Sequence, residues 1–133
     1  MKSESNFPSW LNCSLKIARS VNDYQFRFGA VVVSGGRVLA RARNRAPTKL
    51  PGMPWHGLHA EDAAIRALRR CGRKGKGMSL YVARVLRADG SPAIAKPCHA
   101  CQELIRKEGF ARVVYTAGSN SFGELKPQKY GMI

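Results

Sequence analysis

Two short stretches decide the fold and chemistry of this chain: HAE at residues 59–61 and PCHAC at residues 97–101, each at the start of a predicted helix. The second stretch places two thiols three residues apart, so both lie on one face of the first helical turn. The first supplies an imidazole and, two residues later, a carboxylate. One imidazole and two thiolates suit zinc, and three protein ligands leave the fourth tetrahedral position open for water. The two stretches therefore predict a zinc centre beside a carboxylate that can move protons.

In this order, H-x-E and P-C-x-x-C form the signature of zinc-dependent nucleobase deaminases. On these residues the sequence resembles the cytidine/deoxycytidylate deaminase superfamily, which also contains tRNA adenosine deaminases and guanine deaminases. The resemblance covers about residues 24–117. It implies that His59, Cys98 and Cys101 bind Zn2+ and that Glu61 is the catalytic general acid/base. The implied reaction is attack of water on C4 of cytosine, or C6 of adenine, with release of ammonia.

Candidate substrate contacts follow the second predicted strand. Asn44-Arg45 resembles the Asn-Arg pair of tRNA adenosine deaminases, in which the Asn holds ribose or base. The resemblance also implies that the backbone N–H of Ala60 contacts the base. Trp55 suits stacking on a base and equally suits covering the core beneath a long loop, and both interpretations stay open.

Departures from the family pattern reduce the range of substrates that we expect. Free cytidine deaminases carry Asn-x-Glu after the second strand to hold ribose, whereas this chain has Asn44-Arg45-Ala46, in which Arg45 suits a phosphate. The adenosine deaminases have an acidic residue before Pro-Cys, whereas this chain has Lys96. A predicted antiparallel last strand also favours the cytidine branch. We therefore expect deamination of cytosine in a phosphorylated substrate, either a nucleotide such as CMP or dCMP or single-stranded nucleic acid.

Two alternatives stay open. The same chemistry could act on adenine, guanine or another aminated base analogue. A more distant alternative is a basic nucleic-acid-binding module with structural zinc, which needs a fourth protein ligand, such as Cys71 or Cys13, because structural zinc sites are closed. His56 is expected to have a loop role, and His99 is expected to be exposed near the mouth of the pocket.

Charge and composition predict an anionic partner. The chain has 23 Lys+Arg against 8 Asp+Glu, a formal net charge of +15 over 133 residues, which favours nucleic acid or a nucleotide. We expect one zinc-dependent deaminase domain over residues 1–133, with loose segments at residues 1–8 and 126–133. The sequence has no membrane-length apolar run and no signal-peptide core, so we expect a cytoplasmic location without membrane contact. Members of the resembled family often assemble, and the sequence leaves a homo-oligomer open.

The order of apolar patterns predicts an α/β fold, a three-layer α/β/α sandwich with a single mixed five-stranded sheet. The predicted helices span residues 9–22, 59–71 and 98–108, and the predicted strands span residues 28–34, 37–43, 79–86, 111–117 and 122–125. Ser9 is expected to cap the first helix, and Gly35-Gly36 to form a two-residue hairpin. The last strand is expected to run antiparallel to the fourth, because the short connection cannot carry a parallel crossover. The three arginines of the second strand are expected to share one face.

Overall fold

Helices cover both faces of one mixed sheet. The computed structural model describes residues 6–22, 26–44 and 59–127. Its helices are α1 (Ser9–Arg19), α2 (Ala60–Arg70) and α3 (His99–Glu108), and its strands are β1 (Arg27–Ser34), β2 (Arg37–Arg43), β3 (Ser79–Val85), β4 (Pro92–Ala93), β5 (Arg112–Thr116) and β6 (Phe122–Leu125). The strand order is β2-β1-β3-β5-β6, and β4 pairs with β3. Among these strands β3 and β5 are parallel, and the other pairs are antiparallel.

The predicted α/β class and three-layer arrangement are confirmed. In β1, Val31 and Val33 pack in the core beneath α1, whereas Ala30 and Val32 pack in the core beneath α2 and α3. The apolar run is therefore buried on both faces, as predicted, because it passes through the middle layer. The antiparallel pairing of β6 with β5 is also confirmed.

One strand of the described sheet is absent from the sequence prediction. Strand β4 lies within the predicted loop at residues 87–97 and pairs with β3 through Pro92 and Ala93. A pair of residues cannot display a two-residue period, so the sequence carries no signal for it.

The hairpin between β1 and β2 is confirmed, because Gly35 and Gly36 both have positive φ angles, 58° and 73°. The prediction that the three arginines of β2 share a face is wrong. A register shift lies between Val32 and Val33, so Arg37 pairs with Ser34 while the other two arginines pair with odd-numbered residues of β1. Because directly paired residues share a face, this bulge places Arg37 opposite the others.

The start of the chain also differs from the prediction. Pro8, rather than Ser9, is the N-cap of α1, and the helix ends at Arg19. Phe7 is buried, and its ring contacts the Phe122 ring edge-on at a centroid distance of 6.1 Å, so the predicted loose segment at residues 1–8 is wrong at this position. Within the described ranges, no helix combines the length and apolar character needed to cross a bilayer.

Candidate metal centre and active site

The first turns of α2 and α3 bring three metal-binding side chains together. His59 and Cys98 are the N-cap residues of the two helices, with extended backbone conformations and no capping hydrogen bond from either side chain. Cys101 lies one turn into α3, on the same face as Cys98. The possible ligand atoms of these three residues all lie within 4.8 Å of one another, and Cys101 Sγ is 3.2 Å from His59 Nδ1. The structure thus joins residues that are about 40 positions apart in the sequence.

The chemistry and spacing of this cluster fit zinc. Zn–S bonds of about 2.3 Å and Zn–N bonds of about 2.0 Å in a tetrahedron place ligand atoms roughly 3.5–3.8 Å apart. The observed separations lie around these values, so small side-chain adjustments would complete the geometry. Among the described residues this is the one cluster of three or more such side chains, and neither Cys13 nor Cys71 belongs to it. A centre with three protein ligands is of the open, catalytic kind.

Glu61 lies in the first turn of α2 and is only 4% exposed. Burial raises the pKa of its carboxyl above the ordinary value, against smaller lowering effects from its own backbone hydrogen bond, His59 and Cys101. The pKa of the Cys101 thiol is also raised, first by burial and then by the neighbouring charge of Glu61. A bound cation would reverse the effect on the thiol, because coordination favours the thiolate. A buried carboxyl with a raised pKa, beside the three candidate metal ligands, is suited to general acid/base chemistry.

Asn44 closes the end of the β1–β2 pair rather than projecting freely. Its Oδ1 accepts a hydrogen bond from Phe28 N–H at 2.9 Å, and its Nδ2 donates to the Phe26 carbonyl at 2.8 Å. The side chain is buried, at 5% exposure. An amide offers two N–H donors and two lone pairs, so these two bonds leave one of each for a substrate.

Sequence reasoning missed an exposed aromatic residue, Phe26, beside Asn44. The ring of Phe26 is 42% exposed at the end of the sheet where β1 begins and Asn44 lies. Nearby, the Arg84 guanidinium lies 5.6 Å from the centroid of the Phe28 ring. The predicted strand at residues 28–34 does not include Phe26, and only the register with β3 shows that Phe28 and Arg84 are paired.

The remaining candidate residues differ in position and exposure. Ala60 opens α2, where backbone N–H groups lack acceptors within the helix, and its side chain is buried. His99 is exposed, as predicted, and lines a cleft of about 390 Å³ together with Lys96. Arg45, Trp55 and His56 lie outside the described residues.

The layered fold and the open three-ligand centre define a zinc-dependent hydrolase. The family model described as the cytidine and deoxycytidylate deaminase zinc-binding region matches residues 5–117. The chain belongs to this family, as the motifs predicted, and its members carry out zinc-dependent deamination of nucleotides or their bases.

Solved structures with the same fold have different substrates in their descriptions. The chain is 22% identical to the dCMP deaminase of cyanophage S-TIM5, solved with dCMP and dUMP, over 80% of this chain and 77% of that one, with a TM-score of 0.63. It is 16% identical to the cytidine deaminase of Burkholderia pseudomallei, over 91% and 92% of the two chains, with a TM-score of 0.70. A structure from a study of tRNA:A34 deaminases is 27% identical over 80% and 73%, with a TM-score of 0.57. No curated protein sequence matches the chain.

Proposed function

We propose that this deaminase converts cytosine to uracil in a phosphorylated substrate, either a nucleotide such as CMP or dCMP or single-stranded nucleic acid. The observation that carries the chemistry is the cluster of His59, Cys98 and Cys101 with the buried carboxyl of Glu61 in the adjoining helical turn. The observation that favours phosphate is the formal net charge of +15.

Three residues of the centre have a binding role, and one has a role in proton transfer. His59, Cys98 and Cys101 would hold zinc, which supplies the Lewis acidity that makes water a nucleophile at neutral pH. Glu61 accepts the proton that the attacking water loses and delivers it to the ring nitrogen. It then supports proton transfer to the departing amine, so that the C4–N bond breaks as the new C4–O bond is retained and ammonia leaves.

Residues at the sheet end orient the substrate. The backbone N–H of Ala60 donates to the base, and the remaining donor and acceptor of Asn44 bind ribose or base. The exposed ring of Phe26 offers an apolar surface to the flat face of a base. Arg45 is the proposed contact for phosphate, and Trp55 is the proposed stacking residue for the base.

Two features support cytosine over adenine: Lys96 replaces the acidic residue expected before Pro-Cys, and β6 runs antiparallel to β5. The Asn44-Arg45-Ala46 stretch lacks the carboxylate expected for free nucleosides, which supports a phosphorylated substrate. Adenine is the second candidate, since the neighbour from the tRNA:A34 deaminase study is 27% identical. Homo-oligomerisation and a cytoplasmic location stay predictions.

A substrate panel tests the proposal. Purified protein is incubated with deoxycytidine, dCMP, dCTP and a cytosine-containing oligonucleotide, and with the matching adenine and guanine compounds, and products are identified by mass spectrometry. We expect uracil from phosphorylated cytosine compounds and little from deoxycytidine. Activity confined to adenine or guanine, or to the free nucleoside, would contradict the proposal. Glu61→Gln, which keeps the size of the side chain, is the matched inactive control.

A further inference from the structure

Beside α2, away from the metal centre, the described residues enclose a groove of about 490 Å³ between the edge strand β2 and this helix. The seven residues that line it are four arginines and three alanines, so this lining contains no acidic side chain. We refer to it as the arginine groove, after the residues Arg41, Arg43, Arg66 and Arg70. The small alanine side chains leave space between the edge of β2 and the arginines of α2.

The two arginines of α2 in the groove are available to a ligand. Arg66 and Arg70 are exposed and lie one turn apart on the same face of α2. Arg66 pairs with Asp62 at 3.0 Å, but the two side chains are 62% and 30% exposed, and such a pair contributes only about 0.3–0.5 kcal/mol. An incoming phosphate can therefore replace Asp62 at little cost. On the other side of the groove, Arg41 and Arg43 border it at the edge of β2, where they pair with Val31 and Gly29. Their side chains therefore leave the sheet on the face that α1 covers, and the charges that face the groove are those of α2.

The groove runs away from the metal centre. Helix α2 begins after His59, and a rise of 1.5 Å per residue places Arg66 about 10 Å and Arg70 about 16 Å farther along its axis. At its other wall, β2 ends immediately before Asn44, at the sheet end that carries the candidate site. This positively charged surface is longer than a single terminal phosphate can contact. Its length matches a chain of linked phosphates.

We propose that the arginine groove binds the phosphodiester backbone of single-stranded nucleic acid whose target base enters the deaminase site. The placement of that base rests on the proposed function. Guanidinium groups suit phosphate oxygens because they donate paired hydrogen bonds in a fixed plane. Beyond the end of α2, exposed Arg73, Lys74 and Lys76 extend the basic surface.

Fluorescence anisotropy with a labelled cytosine-containing oligonucleotide tests the groove without following any reaction. The test variant combines Arg66→Gln with Arg70→Gln, and the control combines Lys16→Gln with Arg37→Gln, which removes the same charge from exposed positions outside the groove. Each lost phosphate contact on a single strand lowers the salt slope by about 0.7, so losing two should weaken binding about 25-fold at 0.1 M salt. The control should stay within about twofold of the unmodified protein.

Circular dichroism of each variant checks that the fold is retained. Binding of the groove variant equal to that of the control would overturn the inference. The inference would also be overturned if the Arg66→Gln, Arg70→Gln variant lost affinity for dCTP, measured by calorimetry, yet kept its affinity for the oligonucleotide.

The two proposals fail in different ways. Groove-dependent oligonucleotide binding without uracil formation from any phosphorylated cytosine compound would refute the proposed function and support the groove as a nucleic-acid surface. Uracil formation with groove variants that bind the oligonucleotide normally would refute the inference and support the proposed function.

Discussion

Glu108→Gln should destabilise the fold, because Glu108 joins three parts of the chain. Its carboxylate accepts hydrogen bonds from Arg69 at 2.6 Å and from the backbone N–H of Gly75 at 3.0 Å. The Glu108 side chain is 2% exposed, whereas that of Arg69 is 59% exposed. Helix α3 is thereby held to the end of α2 and to the basic loop that follows it.

The expected loss of stability in Glu108→Gln comes mainly from the buried hydrogen bond with the Gly75 N–H. The exposed Arg69 guanidinium contributes at most about 1 kcal/mol, because water competes for it. Replacing an ionised acceptor of a buried N–H, and turning one oxygen into a donor, costs about 1–2 kcal/mol more. The expected loss is therefore about 1.5–3 kcal/mol in the free energy of unfolding, a fall in Tm of roughly 5–12 °C.

The effect should depend on pH. Burial acts to raise the pKa of Glu108, but the hydrogen bonds from Arg69 and Gly75 and the charges of Arg69 and Lys74 outweigh it, so the net pKa is lowered. A lowered pKa means that the ionised group stabilises the fold above about pH 4.3, the ordinary Glu value, and that this contribution is lost as the pH falls through the folded pKa. The stability difference between the variant and the unmodified protein should therefore shrink in acid.

Denaturant unfolding at neutral and acidic pH measures this difference. Glu103→Gln is the matched control, because Glu103 pairs with Arg106 in the same helix with both side chains 40% exposed. That control should lose no more than about 0.5 kcal/mol. If Glu108→Gln were as stable as Glu103→Gln at neutral pH, or if its deficit grew in acid, the reasoning would be refuted.

Three further changes have defined outcomes. Glu61→Gln should lower turnover about 10²- to 10⁴-fold while zinc content, read by metal analysis, is unchanged, and a turnover close to normal would exclude its role in proton transfer. Gly29→Ala would place a Cβ 2.3 Å from the Ser14 carbonyl oxygen, so thermal unfolding should show a loss of about 2 kcal/mol or more, and normal stability would disprove this close packing. Asn44→Ala removes the bonds to Phe26 and Phe28 and should cost about 1–3 kcal/mol by denaturant unfolding, together with a higher KM; an unchanged free energy would contradict the structural role.

Local chemistry explains why the metal centre was predictable. The Cys98–Cys101 spacing describes one helical turn, so residue type and position suffice to predict a shared face. For His59 and Glu61 the prediction came from the H-x-E motif at a helix start, because residues two apart do not share a helix face. The continuous apolar run of β1 likewise predicts a strand buried on both faces, and Gly35-Gly36 predicts the turn after it.

Features that depend on pairing between distant segments were not predictable. The bulge that turns Arg37 away from the other arginines of β2 exists only in the register with β1. The short strand β4 is defined only by its pairing with β3. The exposure of Phe26 depends on the tertiary packing around its ring, which the sequence does not show. Ser9 has the chemistry of a cap, yet it is the first helical residue, and Pro8 takes the cap position without a side-chain capping hydrogen bond.

Zinc analysis combined with X-ray absorption at the zinc edge tests the open three-ligand centre most directly. The account predicts one zinc per chain with two sulfur ligands at about 2.3 Å and two lighter ligands at about 2.0 Å, one of them His59 and the other not from the protein. Loss of the zinc in Cys101→Ser and its retention in Cys71→Ser would agree with this ligand set. Three or four sulfur ligands, or a purified protein whose deaminase activity needs no metal, would contradict it.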